Sequence, residues 1–337
     1  MTIARFIREQ PAALDRCVEA ARAFSSAWRP AAFEQIALVG SGSSFNALQV
    51  ARPRFVAARR GPVIVHEPAD FVAESAAFTS KPLVIVLSQS GASATSIAAA
   101  EAAVAAGLPT LAITAAPDAP LACSGAKLLR MPVGDEQVGP KTKGFTGSLA
   151  MLFVVAESLG APASVAMTGK ALTPLVDLAA EAARALVPSL ADVDAIVVAG
   201  RRGHHGVALE ASLKISEMSG IPTAAFPTEE LLHGRLHGLT PKSIAFVIAD
   251  GEDEIAEAER ARAAMARRGC RVLIVDPSGA SWPGGVRCAA SPWSALGLVL
   301  PFQWLAVLLA EERGLDPAAM RHGALARELA IKTNREP

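Results

Sequence analysis

Apolar and polar positions alternate along this chain in a pattern that predicts strands and helices in turn. Short apolar runs rich in Val and Ile lead into small polar residues, and a longer apolar or amphipathic stretch follows each of them. Such runs are typical of buried parallel strands, and the longer stretches are typical of helices. Strands are predicted at 36–39, 62–66, 83–87, 109–114, 127–131, 195–199, 244–248 and 272–275. Helices are predicted at about 3–28, 45–51, 93–106, 144–159, 207–219, 252–268 and 295–312.

The order of these elements repeats once at the scale of a domain. Each half opens with a strand and a glycine-rich turn, Gly40-Ser-Gly-Ser-Ser44 in the first and Gly200-Arg-Arg-Gly-His-His-Gly206 in the second. Strands that alternate with helices predict an α/β fold with two tandem domains, each a parallel sheet flanked by helices in a doubly wound, flavodoxin-like arrangement. The predicted boundaries are a helical lead-in (1–30), a first domain (31–165), a helical bridge (166–190), a second domain (191–315) and a C-terminal tail (316–337).

One strand–helix junction carries a clear chemical signal. The strand at 83–87 runs into Ser88-Gln-Ser-Gly91, and an alanine-rich helix follows from about Ser93. The first N–H groups of a helix lack partners and the helix dipole is positive there, so an anion is stabilised. Serine and threonine hydroxyls add donors without adding charge, which suits a phosphate monoester. The alternative is an ordinary helix N-cap, where Ser and Thr are favoured in any case. The second half has no such motif after its strand at 244–248, so the phosphate site is predicted in the first half alone.

The net charge of the chain indicates which kinds of partner are not expected. Lys and Arg together number 32, as do Asp and Glu, so the formal net charge is zero. A neutral chain is not expected to bind nucleic acid or an anionic membrane as its main partner. The apolar stretch at 295–310 falls short of the roughly 20 residues that a bilayer needs and contains Pro301 and Gln303. It predicts a helix buried inside a protein core.

Cysteine usage and the N-terminus predict a cytoplasmic protein. The four cysteines, Cys17, Cys123, Cys270 and Cys288, form no CxxC pair and are interpreted as reduced thiols. The N-terminal residues are charged and helical, without the pattern of a signal peptide. Neither glycine-rich turn matches the dinucleotide-binding or ATP-binding fingerprint. No cofactor is therefore predicted.

Five motifs in order along the chain carry a family resemblance. They are Gly42-Ser-Ser-Phe-Asn46, Ser88-Gln-Ser-Gly91, Thr142-Lys-Gly-Phe-Thr146, Ala208-Leu-Glu-Ala-Ser-Leu-Lys-Ile-Ser-Glu217 and Glu230-Leu-Leu-His-Gly234. Together they resemble the sugar isomerase (SIS) superfamily, in particular the isomerase half of glucosamine-6-phosphate synthase and its stand-alone relatives. The resemblance covers nearly the whole chain. The synthase's glutaminase domain is not found in the sequence, and Thr2 stands where that domain has its nucleophilic cysteine. We therefore expect free ammonia or an amine, and not glutamine, to be handled.

The resemblance implies a role for individual residues. It assigns the phosphate pocket to Ser44, Ser88, Gln89, Ser90 and Ser93. It places Ser43 beside the sugar, and Glu136 and Gly139 along the pocket. It makes Glu217 the base that moves a proton between C1 and C2, His233 the group that opens the sugar ring, and Lys332 the amine that forms an imine with the ketose. It also implies a homodimer with shared active sites, in which the tail completes each site.

These residue types suit the chemistry. Interconversion of an aldose and a ketose needs a base that takes a proton and returns it to the adjacent carbon. Ring opening needs proton exchange near neutral pH, which histidine provides. A lysine imine acidifies the neighbouring C–H bond.

Structural alternatives remain for the same residues. Lys214 and Glu217 lie one helical turn apart and can form a surface ion pair. His204, His205, His233 and His237 can be loop or helix-end histidines, and no carboxylate or cysteine spacing beside them supports a metal site. Lys332 can be a solvated tail residue, since extra residues separate it from Asp316-Pro317 compared with the family's ending.

Four substitutions within or directly beside the motifs leave the exact sugar open. Ala92 replaces a glutamate, Lys141 a serine, Arg235 a proline and Phe45 a tyrosine of the synthase pattern. Lys141 and Arg235 add positive charge that would suit a more acidic substrate. The preferred hypothesis is an enzyme that converts glucosamine 6-phosphate to fructose 6-phosphate and ammonia. A fructosamine-6-phosphate deglycase, a plain sugar-phosphate isomerase and a non-catalytic sugar-phosphate sensor are the alternatives.

Overall fold

The fold is α/β in a computed structural model that describes residues 2–58, 60–277 and 293–332. The helices among these residues are α1 (Thr2–Ala27), α2 (Ser43–Ala57), α3 (Pro68–Glu74), α4 (Ala94–Ala105), α5 (Lys143–Ser158), α6 (Gly169–Leu186), α7 (Gly203–Ser219), α8 (Thr228–His233), α9 (Glu252–Ala266), α10 (Ser294–Glu312) and α11 (Leu325–Glu328). The strands are β1 (Gln35–Val39), β2 (Val63–His66), β3 (Pro82–Leu87), β4 (Thr110–Thr114), β5 (Lys127–Arg130), β6 (Ala195–Gly200), β7 (Thr223–Pro227), β8 (Ser243–Ile248) and β9 (Arg271–Val275).

The chain divides into two compact units. The first unit comprises residues 12–136, 143–163 and those from 322 onward, and the second comprises residues 1–11, 137–142 and 164–321. The first unit contains a parallel sheet with the order β2-β1-β3-β4-β5, and the described part of the second contains one with the order β7-β6-β8-β9. The predicted fold class is confirmed. The predicted domain boundaries stay a prediction.

Strand order places a crevice in each sheet. The chain runs from β1 to β2 on one side and returns to β3 on the other side of β1, and β6, β7 and β8 repeat this arrangement. In open parallel sheets, ligands bind outside the carboxyl ends of the strands where the strand order reverses. In the first unit, this position lies between the ends of β1 and β3.

The two halves share an unusual backbone at their first turn. Gly42 precedes α2 with φ 56° and ψ −133°, and Arg202 precedes α7 with φ 50° and ψ −123°. Positive φ is uncommon for a residue with a side chain, so Arg202 keeps a conformation that glycine adopts more readily. The matching dihedrals support the internal repeat that the glycine-rich turns predicted.

Burial on both faces explains why the central strands β3 and β8 are continuous apolar runs in the sequence. All six residues of β3 are buried, and a core cluster beside them includes Val84, Val86, Ile97 and Leu121. In the second unit, the apolar helix α10 packs against α6 and α7. The side chain of Gln303 within it accepts a hydrogen bond from the Gln10 side chain at 2.7 Å.

Helix α10 is long and apolar enough to cross a bilayer. Its mean hydropathy over an 18-residue window is 1.6, but 89% of that window is buried inside the protein. This burial confirms the prediction of a helix enclosed by its own core.

Cys17, Cys123 and Cys270 are free thiols, whereas Cys288 lies outside the described residues. Burial raises the pKa of the Cys17 thiol to about 12. That thiol is therefore un-ionised and unreactive at neutral pH.

Candidate active site

The loop Ser88-Gln-Ser-Gly91 follows β3 directly and is fixed by the end of the neighbouring strand β4. The Gln89 carbonyl accepts a hydrogen bond from the N–H of Ala115 at 3.0 Å and another from the Thr114 hydroxyl at 3.2 Å. Ser88 is buried and Ser90 is exposed. The loop therefore offers two hydroxyls, at different depths, along the carboxyl edge of the sheet.

Glycine is required at the end of this loop. Gly91 has φ +64°, and a Cβ atom built on it would lie 2.6 Å from the Cβ of Ala119 and 2.8 Å from the Oγ1 of Thr114. Both the left-handed backbone and the close approach exclude a side chain. The tight turn brings the chain from β3 to the start of α4 within a few residues.

Ser93 is the N-cap of α4. Its hydroxyl oxygen accepts from the backbone N–H of Ser96 at 3.5 Å and from the Ser96 hydroxyl at 3.1 Å. The N-cap alternative is therefore correct for Ser93. Capping leaves the positive end of the helix dipole in place, so it is compatible with an anion site at the same position.

A second helix begins at the same edge of the sheet. Helix α2 starts at Ser43, directly after the Gly40–Gly42 turn, and both Ser43 and Ser44 are partly buried in its first turn. Strands β1 and β3 are adjacent and parallel, so the starts of α2 and α4 lie above neighbouring carboxyl ends. Two helix N-termini and their serines thus share the crevice position of this sheet.

The C-terminal segment returns to the start of α4. The Ala94 N–H donates to the carbonyl of Ile331 at 3.2 Å, and Lys332 forms an isolated antiparallel bridge with Ser93. The extra residues between Pro317 and Lys332 include the short helix α11. Lys332 is exposed and lies beside the predicted phosphate loop, although its sequence context departs from the family pattern.

Glu136 contacts both the Gln89 side chain and the first residues of α5. It is only 4% exposed, and its carboxylate accepts from the backbone N–H groups of Lys143 and Gly144, each at 2.9 Å. The same carboxylate accepts from the Gln89 amide nitrogen at 3.0 Å. Glu136 therefore caps α5 and contacts one member of the predicted phosphate pocket.

Gly139 belongs to the second unit, where Met320 packs directly on its Cα. A Cβ atom at this position would lie 2.4 Å from the Cγ of Met320. Close packing thus explains the glycine locally. Its assignment to the sugar pocket stays a prediction.

Helix α7 carries a buried ion triad. Glu210, Lys214 and Glu217 recur at intervals of four and three residues, so they share one helix face. The Lys214 ammonium lies 3.7 Å from Glu210 and 2.5 Å from Glu217. The side chains of Lys214 and Glu210 are 1% and 0% exposed, and that of Glu217 is 19% exposed. The surface ion-pair alternative is therefore wrong, because the shared lysine is buried.

Glu217 is the member of this triad that solvent can reach. Its carboxylate has a positive counter-charge in Lys214 and keeps an exposed part. A general base needs both an ionised oxygen and access to the substrate. Sequence analysis did not predict a role for Glu210 or the burial of Lys214. The helical spacing of the three charged residues, with apolar residues between them, is the signal that could have indicated a buried network.

Replacing Lys214 by methionine is expected to destabilise the protein by about 3–5 kcal/mol, because it removes the buried ammonium that pairs with the carboxylates of Glu210 and Glu217. Urea denaturation measures this loss. Arg262→Ala is the matched control, since it removes one member of the exposed pair between Arg262 and Glu259 on α9. The control should cost less than about 1 kcal/mol. Equal losses in the two variants would contradict the buried-triad interpretation.

His233 ends the short helix α8 and points to the surface. Its side chain is 74% exposed, and its Nε2 atom lies 3.0 Å from a carboxylate oxygen of Glu229. The structure thus describes a solvent-accessible imidazole paired with one carboxylate. The His233 side chain is far more exposed than that of Glu217, the other predicted catalytic residue of the second unit.

The two histidines of the glycine-rich turn, His204 and His205, are half-buried. Burial lowers the pKa of His204, with Asp250 and Glu254 opposing the shift, and burial also lowers the pKa of His205. Among the residues that the structure describes, no group of three or more His, Cys, Asp or Glu side chains could hold a metal ion. These histidines are interpreted as structural.

Comparison with known proteins finds one family model that matches both halves of the chain. The model of the family described as SIS domain matches residues 32–158 and 189–283. The chain is 26% identical over 299 residues to the isomerizing glutamine–fructose-6-phosphate aminotransferase of Lactococcus lactis subsp. lactis, covering 84% of this chain and 49% of that protein. It thus spans about half the length of the curated relatives it matches.

Two solved structures illustrate the likeness in fold. Glucosamine-6-phosphate deaminase from Thermotoga maritima superposes with a TM-score of 0.82 at 21% identity, covering 96% of this chain and 98% of that one. The C-terminal domain of glucosamine-fructose-6-phosphate aminotransferase from Francisella tularensis superposes with a TM-score of 0.76 at 19% identity, covering 94% and 97%. At these identities the likeness shows the fold.

Proposed function

This chain belongs to the SIS domain family, the sugar-phosphate isomerase superfamily, and we propose that it converts glucosamine 6-phosphate to fructose 6-phosphate and ammonia. The observation that carries the proposal is the backbone pairing of Lys332 with Ser93. It brings the backbone of Lys332 to the start of α4, next to the serine-rich loop, which supports a role for the lysine amine at this site. A phosphate suits the serines and helix ends, and a sugar carbonyl suits the amine.

The proposed chemistry uses side chains of this chain and water. The phosphate is held by the hydroxyls and N–H groups at the starts of α2 and α4. His233 transfers protons during ring opening, which exposes the C1 aldehyde. Glu217 removes the proton on C2 and returns it to C1, so that the amine at C2 becomes an imine.

Release of ammonia then proceeds by exchange at C2. The amine of Lys332 adds to the C2 imine, and ammonia leaves as the new imine forms. Water hydrolyses the lysine imine to give fructose 6-phosphate and the free lysine. One water molecule is consumed and one ammonia is released over the cycle, so atoms and charges balance without a further reactant.

The ion triad of α7 supports the assignment of the base. Lys214 holds Glu217 at 2.5 Å and is itself anchored by buried Glu210. A base fixed in this way keeps its orientation during proton transfer, which lowers the cost of reaching the reactive geometry. We therefore assign Lys214 and Glu210 as residues that position Glu217.

Assembly as a homodimer with shared sites forms part of this proposal. The exposed imidazole of His233 would then serve the site of the neighbouring subunit. A cytoplasmic location, and the absence of nucleic acid and membrane as partners, stay predictions from the cysteines and the neutral net charge.

The direct test is to incubate the protein with glucosamine 6-phosphate and measure ammonia and fructose 6-phosphate over time. Fructosamine 6-phosphate and fructose 6-phosphate serve as parallel substrates, because they detect a deglycase and a plain isomerase. A thermal-shift series with the same compounds measures binding independently of turnover. Binding without turnover of any of them would contradict the enzymatic proposal and indicate a sensor.

Replacing Ser88 and Ser90 together by alanine is expected to weaken binding of glucosamine 6-phosphate by about 1–3 kcal/mol, because hydrogen bonds to a charged group are lost. Isothermal calorimetry measures the change. Ser158→Ala is a matched control, since this hydroxyl bonds to the Val155 carbonyl at the end of α5. Unchanged affinity in a folded double variant would remove the loop from the phosphate site.

A further inference from the structure

The contacts of Gln89 define a clamp built from three separate segments. Its amide nitrogen donates to Glu136 at 3.0 Å, and its carboxamide lies across the first turn of α5. A Cβ atom at Gly144 would lie 1.9, 2.2 and 2.3 Å from the Oε1, Cδ and Nε2 atoms of Gln89. The carboxamide therefore occupies the space that a side chain at position 144 would need.

Chemistry fixes which end of the amide faces Glu136. An ionised carboxylate only accepts hydrogen bonds, so the NH₂ group of Gln89 must point toward it. The two oxygens of Glu136 are also engaged by the N–H groups of Lys143 and Gly144. This buried carboxylate has at least three donors, and the positive end of α5 stabilises its charge.

We propose that Glu136 is a positioning residue that acts through Gln89 and sets the affinity of the loop Ser88-Gln-Ser-Gly91 for the phosphate end of the substrate. The proposal rests on the proposed function for the identity of that substrate. Its physical basis is pre-organisation. A glutamine whose carboxamide is already held needs no further ordering when the anion binds. Gly144 supports the same arrangement, because its lack of a side chain leaves room for the Gln89 carboxamide beside α5.

Glu136→Gln keeps the shape but replaces one accepting oxygen by a donor group, which opposes the N–H groups around it. We expect KM and Kd for glucosamine 6-phosphate to rise about tenfold with kcat changed much less, since binding and not proton transfer is affected. Gln89→Ala should give a rise of similar size. In the Gln89→Ala background, adding Glu136→Gln should change Kd by less than about twofold, because the residue it acts through is absent.

A purely structural role for Glu136 gives a different pattern. Loss of the cap on α5 lowers Tm under either role, but a purely structural effect would weaken binding by the same factor with or without Gln89. Equal factors in the two backgrounds would overturn the proposal. Inorganic phosphate serves as a second probe in calorimetry, so the coupling is measurable without turnover. Absence of turnover together with intact coupling would contradict the proposed function and leave the positioning role standing.

Gly144→Ala tests the clamp without touching the carboxylate. Its backbone φ is not positive, and alanine in a helix is more favourable than glycine, so Tm is expected to stay equal or rise. The new methyl group must displace the Gln89 carboxamide, so Kd for both probes should rise about fivefold or more. Unchanged affinity in this variant would overturn the proposal even if Glu136→Gln failed to fold.

Discussion

Glu217→Gln is expected to lower the rate of ammonia release from glucosamine 6-phosphate by about 10²–10⁴-fold while binding changes little. The amide keeps the shape of the carboxylate and loses the basic oxygen. Lys214 retains buried Glu210 at 3.7 Å, so the fold should survive. NMR in deuterated water gives the sharpest measurement, because it follows deuterium entering C1 or C2 directly.

A matched control separates loss of the Glu217 base from the general effect of removing one carboxylate from this unit. Glu259→Gln removes a carboxylate from the exposed pair on α9 in the same unit and should leave exchange at the wild-type rate. Deuterium washing in at the wild-type rate in Glu217→Gln would exclude this residue as the base. Loss of binding in calorimetry would instead show that its main role is to hold the substrate.

Most strands were predictable because they are short apolar runs, and the central strands β3 and β8 are buried at every residue. Eight predicted apolar runs correspond to β1–β6, β8 and β9 within one or two residues at either end. The missed strand β7, Thr223–Pro227, has partly exposed residues and a low content of β-branched side chains, so neither burial nor propensity marked it. Its position at the edge of the sheet explains that composition.

Helix ends were less predictable than strands. The prediction ended the first helix of the repeat at Ala51, before Pro53, but α2 continues through that proline to Ala57. Helix α7 begins at Gly203, four residues before the predicted start, because the glycine-rich turn supplies its first turn. The short helices α3 and α8 were missed, since six or seven residues give too little periodicity to detect.

The local part of the site could be predicted, and its long-range part could not. A strand, a small-residue loop and a helix start are adjacent in sequence, so the geometry around Ser88 follows from local rules. The pairing of Lys332 with Ser93, and of Glu136 with Gln89, depends on how distant segments fold back. No periodicity encodes these contacts, and resemblance alone suggested that the residues belonged together.

Mixing two inactive variants is expected to restore activity if the sites are shared between subunits. His233→Ala removes the ring-opening group, and Lys332→Ala removes the amine of a residue whose backbone pairs with Ser93 in its own chain. After both are unfolded and refolded together, about half of the dimers should be hybrids. Each hybrid would contain one intact and one doubly damaged site, so the mixture should reach about a quarter of wild-type activity.

A second mixture tests the shared site by loss of wild-type activity, so that the test does not depend on activity being recovered from two inactive variants. Refolding wild type with an equal amount of the His233→Ala, Lys332→Ala double variant gives hybrids whose two sites are each damaged once, if the sites are shared. Measured against wild type at the same total protein concentration, the mixture should then show about a quarter of the activity, against about a half if each site lies within one chain. Native mass spectrometry establishes that hybrids have formed. No recovery in the first mixture and half retention in the second would place His233 in the site of its own chain and reject the shared-site dimer.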